Sequence, residues 1–142
     1  MSNKDMMPQF ALFQPSDIGN ALELLDKYGE SGWIVAGGQD SFDWFKDRAK
    51  RPEAVIDLGG IAELTGVRET ADGIEIGAMT TLTEISNNTT IKSQYGLLAE
   101  AAGRVASPQI RNAGTIGGNV SQDARCWYYR RGLSCYRAGG NL

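Results

Sequence analysis

Two glycine-rich segments hold the residues of this chain that are best suited to chemistry. The first is Ala36-Gly37-Gly38-Gln39-Asp40-Ser41, which follows an apolar strand-like run, and the second is Thr115-Ile116-Gly117-Gly118-Asn119. Glycine has no Cβ and tolerates positive φ, so successive backbone N–H groups can converge on an anion at close range. Two such segments can jointly hold one diphosphate.

The composition excludes several kinds of reaction. The chain has 142 residues, 42% of them hydrophobic, and no histidine. Hydrolysis by a serine or cysteine with a histidine base is therefore excluded, as are histidine-ligated metal sites. If the protein takes part in catalysis, a cofactor supplies the reactive group more easily than a side chain does.

The charge is unevenly distributed along the chain. From Arg104 onward there are six arginines against Asp123 alone, a balance of +5, so the preceding residues sum to −8 within a total of −3. A basic C-terminal third can attract a nucleotide diphosphate, an acidic partner subunit or nucleic acid, or it can be a solvated loop. The interleaved aromatic and arginine residues of 127–132 are too few for a nucleic-acid site, and we expect none.

The elements that position these segments follow from apolar spacing. Residues 33–36 read as a buried strand, the first glycine segment as a turn, and Asp40 or Ser41 as the start of a helix. Residues 54–58 form a second strand, parallel to the first. The sequence next predicts an Asp72-Gly73 hairpin, a short helix capped by Thr81 and a longer helix over 95–105. Residues 109–119 are predicted to form a turn region. This order predicts a βαβ unit followed by antiparallel strands.

The two cysteines leave three interpretations open. Cys126 and Cys135 could form a disulfide, remain inert thiols, or ligate part of a metal or iron–sulfur centre. An iron–sulfur cluster usually needs four thiolates, which two cysteines cannot supply.

The sequence predicts no membrane segment. It has no apolar run of ~18 residues, and residues 1–8 lack the apolar core of ~7–15 residues that a signal peptide needs. We therefore expect a cytoplasmic location and no membrane contact.

Residues 35–41 and 110–119 resemble the FAD-binding medium subunit of the xanthine dehydrogenase and carbon monoxide dehydrogenase family of molybdenum hydroxylases. The resemblance implies an α+β fold, a two-lobed FAD-binding domain. Residues 1–60 would form the small βαβ-type lobe. Residues 61–142 would begin a mixed lobe around an antiparallel sheet, here incomplete. Because members of the family are longer, we expect this chain to be an N-terminal fragment.

The resemblance also implies the cofactor site. The glycine N–H groups would bind phosphate oxygens of FAD, and Ser41, Thr115 and Asn119 would add side-chain hydrogen bonds. Ile116 would pack against the flavin or the core, and Asp123 would add a polar contact. The implied FAD-binding residues are Ala36, Gly37, Gly38, Gln39, Asp40, Ser41, Thr115, Ile116, Gly117, Gly118, Asn119 and Asp123.

A narrower resemblance concerns the cysteine-containing loop at 123–142. This loop is similar to the one in the 4-hydroxybenzoyl-CoA reductase and periplasmic aldehyde oxidoreductase branch, where four cysteines hold a [4Fe–4S] cluster. The resemblance makes Cys126 and Cys135 two metal ligands, with the others beyond Leu142.

The implied function is that of an FAD-dependent oxidoreductase subunit. It would relay electrons between iron–sulfur clusters and an external acceptor, beside a large molybdenum-cofactor subunit and a small [2Fe–2S] subunit. A partner's signal could direct the complex to the periplasm. The alternatives are a non-redox module that binds a nucleotide or phosphate, and an inactive truncated remnant.

Overall fold

A computed structural model describes residues 7–140 of the chain. Residues 1–6, which belong to the stretch expected to lack a signal core, lie outside the described residues. So do residues 141–142, the end of the cysteine-containing loop.

The first half of the chain forms a three-stranded parallel sheet. Its strands are β1 (Ala11–Phe13), β2 (Gly32–Val35) and β3 (Ala54–Asp57), in the order β1-β3-β2. Ala54 of β3 is in register with both Ala11 and Gly32. As expected, β2 and β3 are parallel. The first three residues of the central strand β3 are fully buried, which accounts for their apolar side chains.

Two helices complete this half. Helix α1 (Ile18–Tyr28) connects β1 to β2, and α2 (Ser41–Lys46) lies between β2 and β3. Trp44 and Phe45 of α2 are buried with Val35 and Val55 in one core cluster. The ring of Phe45 meets that of Trp33 edge-on, with the centroids 5.7 Å apart. Helix α2 is therefore held firmly beside the end of β2, where the first glycine segment begins.

The second half begins with the predicted antiparallel hairpin. Strands β4 (Val67–Thr70) and β5 (Gly73–Ile76) pair with each other, and three helices follow: α3 (Leu82–Asn87), α4 (Thr89–Gln94) and α5 (Gly96–Arg104). The predicted capping box at the start of α3 is present, because Thr81 Oγ1 accepts from the Glu84 N–H and Glu84 binds the Thr81 N–H.

A second core cluster lies among these helices. Its buried members are Leu82, Ile85, Ile91, Ala99 and Ala102, with Ile116 among the residues packed against it. The sequence pattern predicts no separate α4, because Asn87-Asn88 is typical of a helix end. Asn88 also begins α4, since its side chain accepts the Ile91 N–H at 2.9 Å.

The largest difference between prediction and structure concerns residues 109–119, for which the sequence pattern predicts a turn region. They form most of two short helices, α6 (Pro108–Ala113) and α7 (Ile116–Val120), and a single turn, α8 (Trp127–Arg130), follows. The helices and two small sheets nevertheless confirm the mixed α+β fold class. The boundary between lobes at residues 60 and 61 stays a prediction.

Within residues 7–140, the helices are all too short or too polar to cross a lipid bilayer. The cytoplasmic location expected from the sequence stays a prediction.

Candidate functional site

The first glycine segment forms a loop with unused donors. It leaves β2 at the buried Val35, and Gly38 has a φ of 73°, which favours glycine. A Cβ on Gly38 would lie 2.6 Å from the Phe42 ring. Within residues 7–140, no hydrogen-bond acceptor is found for the backbone N–H groups of Gly38, Gln39, Asp40 and Ser41. Four successive free donors are suited to an anion.

The second glycine segment is a capped helix rather than a turn. Thr115 is buried and is the N-cap of α7, since its Oγ1 accepts the Gly118 N–H at 3.2 Å. The segment is fixed to the chain before α3, because the Ile116 N–H donates to Thr80 O and the Gly117 N–H to Ala78 O at 2.8 Å. This segment is therefore rigidly positioned by the second half of the fold.

The first segment lies against the second segment and the two residues that precede it, Ala113 and Gly114, although 76 positions separate Gly37 from Ala113. A Cβ on Gly37 would overlap the carbonyl oxygen of Ala113 and lie 3.1 Å from Gly114 Cα. A Cβ on Gly118 would lie 3.6 Å from that of Ala36. The main chains therefore approach each other closely here, and the joint diphosphate site stays a prediction.

The hydrogen bonds revise how the second segment can act. The Gly117 N–H, expected on a phosphate oxygen, is bound to Ala78 O, and the Gly118 N–H points to the Thr115 hydroxyl. Gly117 is required by packing, since its Cβ would lie 2.7 Å from Ala78 O. Ile116 packs on the second core cluster, one of its two expected positions. The exposed Asn119 leaves its amide side chain available here.

Two polar side chains of the first loop are engaged by the protein. Ser41 Oγ accepts from Trp33 Nε1 at 3.0 Å, and Asp40 Oδ2 accepts from Trp44 Nε1 at 2.8 Å. Asp40 Oδ1 also faces Arg130. The Asp40 carboxylate therefore holds the loop, and sequence reasoning missed both of its strongest partners.

Asp123 lies in a separate contact. Its Oδ1 accepts from the Ala124 N–H at 2.7 Å and from Arg137 at 3.1 Å, with no hydrogen bond to either glycine segment among the described residues. The Ala124 N–H first, and then the Arg137 guanidinium, lower the pKa of this carboxyl below its ordinary value. Its expected contact with FAD stays a prediction.

We predict that Asp123→Asn destabilises the chain at neutral pH by about 0–1 kcal/mol, because Arg137 is largely exposed. Because the pKa of Asp123 is lower in the folded chain than in the unfolded chain, its ionised carboxylate stabilises the fold at pH values above the unfolded pKa. This stabilisation is lost as the pH falls through the folded pKa. Thermal unfolding across the acid range should show the two proteins converging. Asp26→Asn, on an exposed part of α1, is the charge-matched control. A difference that persists at the acid end would contradict this assignment.

Both cysteines are free thiols, and the Cys135 thiol lies close enough to Cys126 to interact with it. The backbone N–H of Tyr129, and less strongly that of Tyr128 and the Cys135 thiol, lower the pKa of Cys126. No group of three or more histidine, cysteine or acidic residues in the described part of the chain could hold a metal ion. The pair is therefore at most part of a ligand set.

A parallel βαβ unit with a glycine-rich loop after its first strand is typical of dinucleotide-binding domains. The family described as the FAD binding domain in molybdopterin dehydrogenase matches residues 8–126, and the chain belongs to this family. The match confirms the family resemblance seen in the sequence. It ends at Cys126, so Cys135 lies beyond it.

Known relatives agree with this family. The carbon monoxide dehydrogenase medium chain of Hydrogenophaga pseudoflava is 39% identical over 114 residues, which cover 80% of this chain and 40% of that protein. The nicotinate dehydrogenase FAD-subunit of Eubacterium barkeri is 42% identical over 116 residues, covering 81% of this chain and 39% of that protein.

A solved structure shows the same fold. Carbon monoxide dehydrogenase from H. pseudoflava, in a form that lacks the Mo-pyranopterin moiety, matches with a TM-score of 0.79 at 38% identity, covering 82% of this chain and 40% of that chain. The present chain thus spans about two-fifths of the length of these relatives.

Proposed function

We propose that this chain binds FAD with the diphosphate at the contact between the first loop and the second glycine segment. The observation that carries the proposal is the run of N–H donors from Gly38 to Ser41, which have no acceptor in the described part of the chain and lie directly beside that contact. Backbone donors in such a run hold phosphate oxygens without a charged side chain.

The residues present fit this ligand. The loop donors would hold phosphate oxygens, and the hydroxyl of Ser41 and the amide of Asn119 would add hydrogen bonds. Gly37 and Gly117 act by letting main chains approach, and Asp40 acts by fixing the loop. When bound, FAD supplies the redox chemistry, so the protein needs no catalytic side chain of its own.

The wider role proposed is an electron-transferring subunit of a molybdenum hydroxylase. The chain would exchange electrons between iron–sulfur clusters and an external acceptor, together with a molybdenum-cofactor subunit and a [2Fe–2S] subunit. Two named relatives, a dehydrogenase medium chain and a dehydrogenase FAD-subunit, support membership of such a complex.

The 4-hydroxybenzoyl-CoA reductase branch is the narrower proposal. It is supported by the neighbouring thiols of Cys126 and Cys135 and by the thiolate-favouring groups around Cys126. The chain has only these two cysteines, so they do not make a complete [4Fe–4S] ligand set.

Competition binding tests the diphosphate assignment. We expect ADP to displace FAD from the chain, and adenosine and riboflavin to compete at least about tenfold less well, a difference of about 1.4 kcal/mol. Equal competition by adenosine and ADP would contradict a diphosphate site. ADP binding without FAD binding would favour a non-redox nucleotide module, and no binding of either would favour a truncated remnant.

A further inference from the structure

The C-terminal segment, residues 123–140, packs against the first glycine loop. Its central contact is Arg130, at the end of α8, whose Nη2 lies 2.6 Å from Asp40 Oδ1 although 90 positions separate the two residues. The Arg130 guanidinium also lies over the Trp44 ring, 4.3 Å from its centroid. The neighbouring Tyr129 packs on the core cluster of the first half.

Asp40 is held from two sides by these contacts. Trp44 Nε1 binds one carboxylate oxygen, while Arg130 binds the other, and Arg125 Nε lies 3.3 Å from that same oxygen. The side chains of Arg130 and Asp40 are only 12% and 20% exposed, so solvent screens the pair weakly. Asp40 is also one of the four loop residues whose N–H groups have no acceptor within residues 7–140.

The burial of Arg130 is expensive for a purely stabilising contact. Its Nε is buried and has no hydrogen-bond partner among the described residues. A buried ion pair with an unsatisfied donor is weak evidence for stability, because apolar side chains can often fill the same space at lower cost. In some proteins a buried charged pair of defined geometry instead serves to fix one arrangement of the groups that it joins.

We propose that Arg130 is a positioning residue for the flavin site: through Asp40 it fixes the first glycine loop, so that docking of the C-terminal segment and binding of FAD favour each other. The proposal rests on the proposed function, since it assumes that the loop holds the FAD diphosphate. It assigns the charges of Arg125 and Arg130 to the loop carboxylate rather than to the phosphates.

A double-mutant cycle on FAD affinity tests the coupling. The variants are Arg130→Gln, Asp40→Asn and the double variant of the 142-residue chain, with the dissociation constant for FAD and thermal unfolding measured for each. We expect each single variant to weaken FAD binding by about tenfold or more, and the double variant to be no weaker than the single ones. Arg130→Lys should recover part of the affinity, because it keeps the charge but not the planar fork.

Arg131→Gln is the matched control. Arg131 is adjacent and exposed, and it lies over Trp127 rather than over the loop. We expect this variant to bind FAD as the wild type does. Variants of Arg130 that lower the unfolding temperature but leave the FAD affinity of the folded protein unchanged would overturn the proposal. Failure of the wild type to bind FAD would instead overturn the proposed function.

Thermodynamic linkage between FAD binding and docking of the C-terminal segment provides a second measurement. A contact with a purely structural role would not change its result. If FAD and the docked segment favour each other, FAD must stabilise the segment by the same factor. Alkylation of the buried Cys135, followed by peptide mass spectrometry, should slow when FAD saturates the wild type, and Arg130→Gln should lose most of that protection. Equal protection in the two proteins would contradict the coupling.

Discussion

Replacing Gly37 with alanine is expected to push the two glycine segments apart. The new Cβ would overlap the carbonyl oxygen of Ala113 and lie 2.7 Å from its carbonyl carbon. These are backbone atoms of a neighbouring helix, so no side-chain rotation relieves the contact. Overpacking of this kind costs about 1–3 kcal/mol of the free energy of unfolding. We expect FAD affinity to fall by more than about tenfold, because the site depends on that approach.

Gly96→Ala is the matched control for this substitution. Gly96 begins α5, its φ is not positive, and no atom lies within 4 Å of the position its Cβ would take. We expect this variant to be as stable as the wild type or slightly more stable, with unchanged FAD binding. Denaturant unfolding and FAD titration of both variants make the comparison. Wild-type stability and affinity in Gly37→Ala would show that the two segments do not meet as described.

Replacing Gly117 with alanine should have the second large effect. Gly117 lies within α7, where helix propensity alone favours alanine over glycine by roughly 1 kcal/mol. Packing opposes this gain, because the Cβ would lie 2.7 Å from the Ala78 carbonyl oxygen and 2.8 Å from the Ala78 Cβ. That same oxygen accepts the Gly117 N–H, so the helix cannot move away without losing the bond. We expect net destabilisation of about 1–3 kcal/mol.

A second helical glycine provides the control for Gly117. Gly103 lies within α5, and the nearest atom to its Cβ position is 3.6 Å away, an ordinary contact. Gly103→Ala should therefore keep the gain from helix propensity and raise the unfolding midpoint. The two variants make the same chemical change in two helices, and we expect shifts of opposite sign. Shifts of the same sign would mean that the contact with Ala78 does not constrain α7.

Local signals explain what the sequence predicted well. The apolar runs at β2 and β3 with a glycine loop between β2 and α2 specify a parallel βαβ unit by short-range pattern. The capping box from Thr81 to Glu84 is likewise contained in four residues. Both features depend on residues that are close together in the chain, so the sequence pattern alone predicts them.

The features that the sequence did not reveal depend on tertiary contacts. Helix α7 contains two successive glycines and has weak intrinsic propensity, yet it forms because Thr115 caps it and Ala78 and Thr80 anchor its first N–H groups. The pairing of Asp40 with Arg130 spans 90 positions and follows no local pattern.

A Gly-Gly motif in the sequence does not specify which structural role each glycine has. A Gly-Gly pair in the sequence indicates either a donor facing an anion or a close approach of main chains. Gly38 is of the first kind, because its φ is positive and its N–H has no acceptor among the described residues. Gly117 is of the second kind, because its N–H is bound to Ala78 O. Only the positions of the neighbouring segments distinguish the two.

Direct titration of the 142-residue chain with FAD tests the central claim, that the two glycine segments together hold this cofactor. Flavin fluorescence and absorbance would follow binding, and circular dichroism would show that the chain is folded. We predict saturable binding of one FAD per chain, accompanied by a rise in the thermal unfolding temperature, because the ligand binds the folded state. A folded chain that leaves flavin fluorescence and the unfolding temperature unchanged at saturating FAD would contradict the claim.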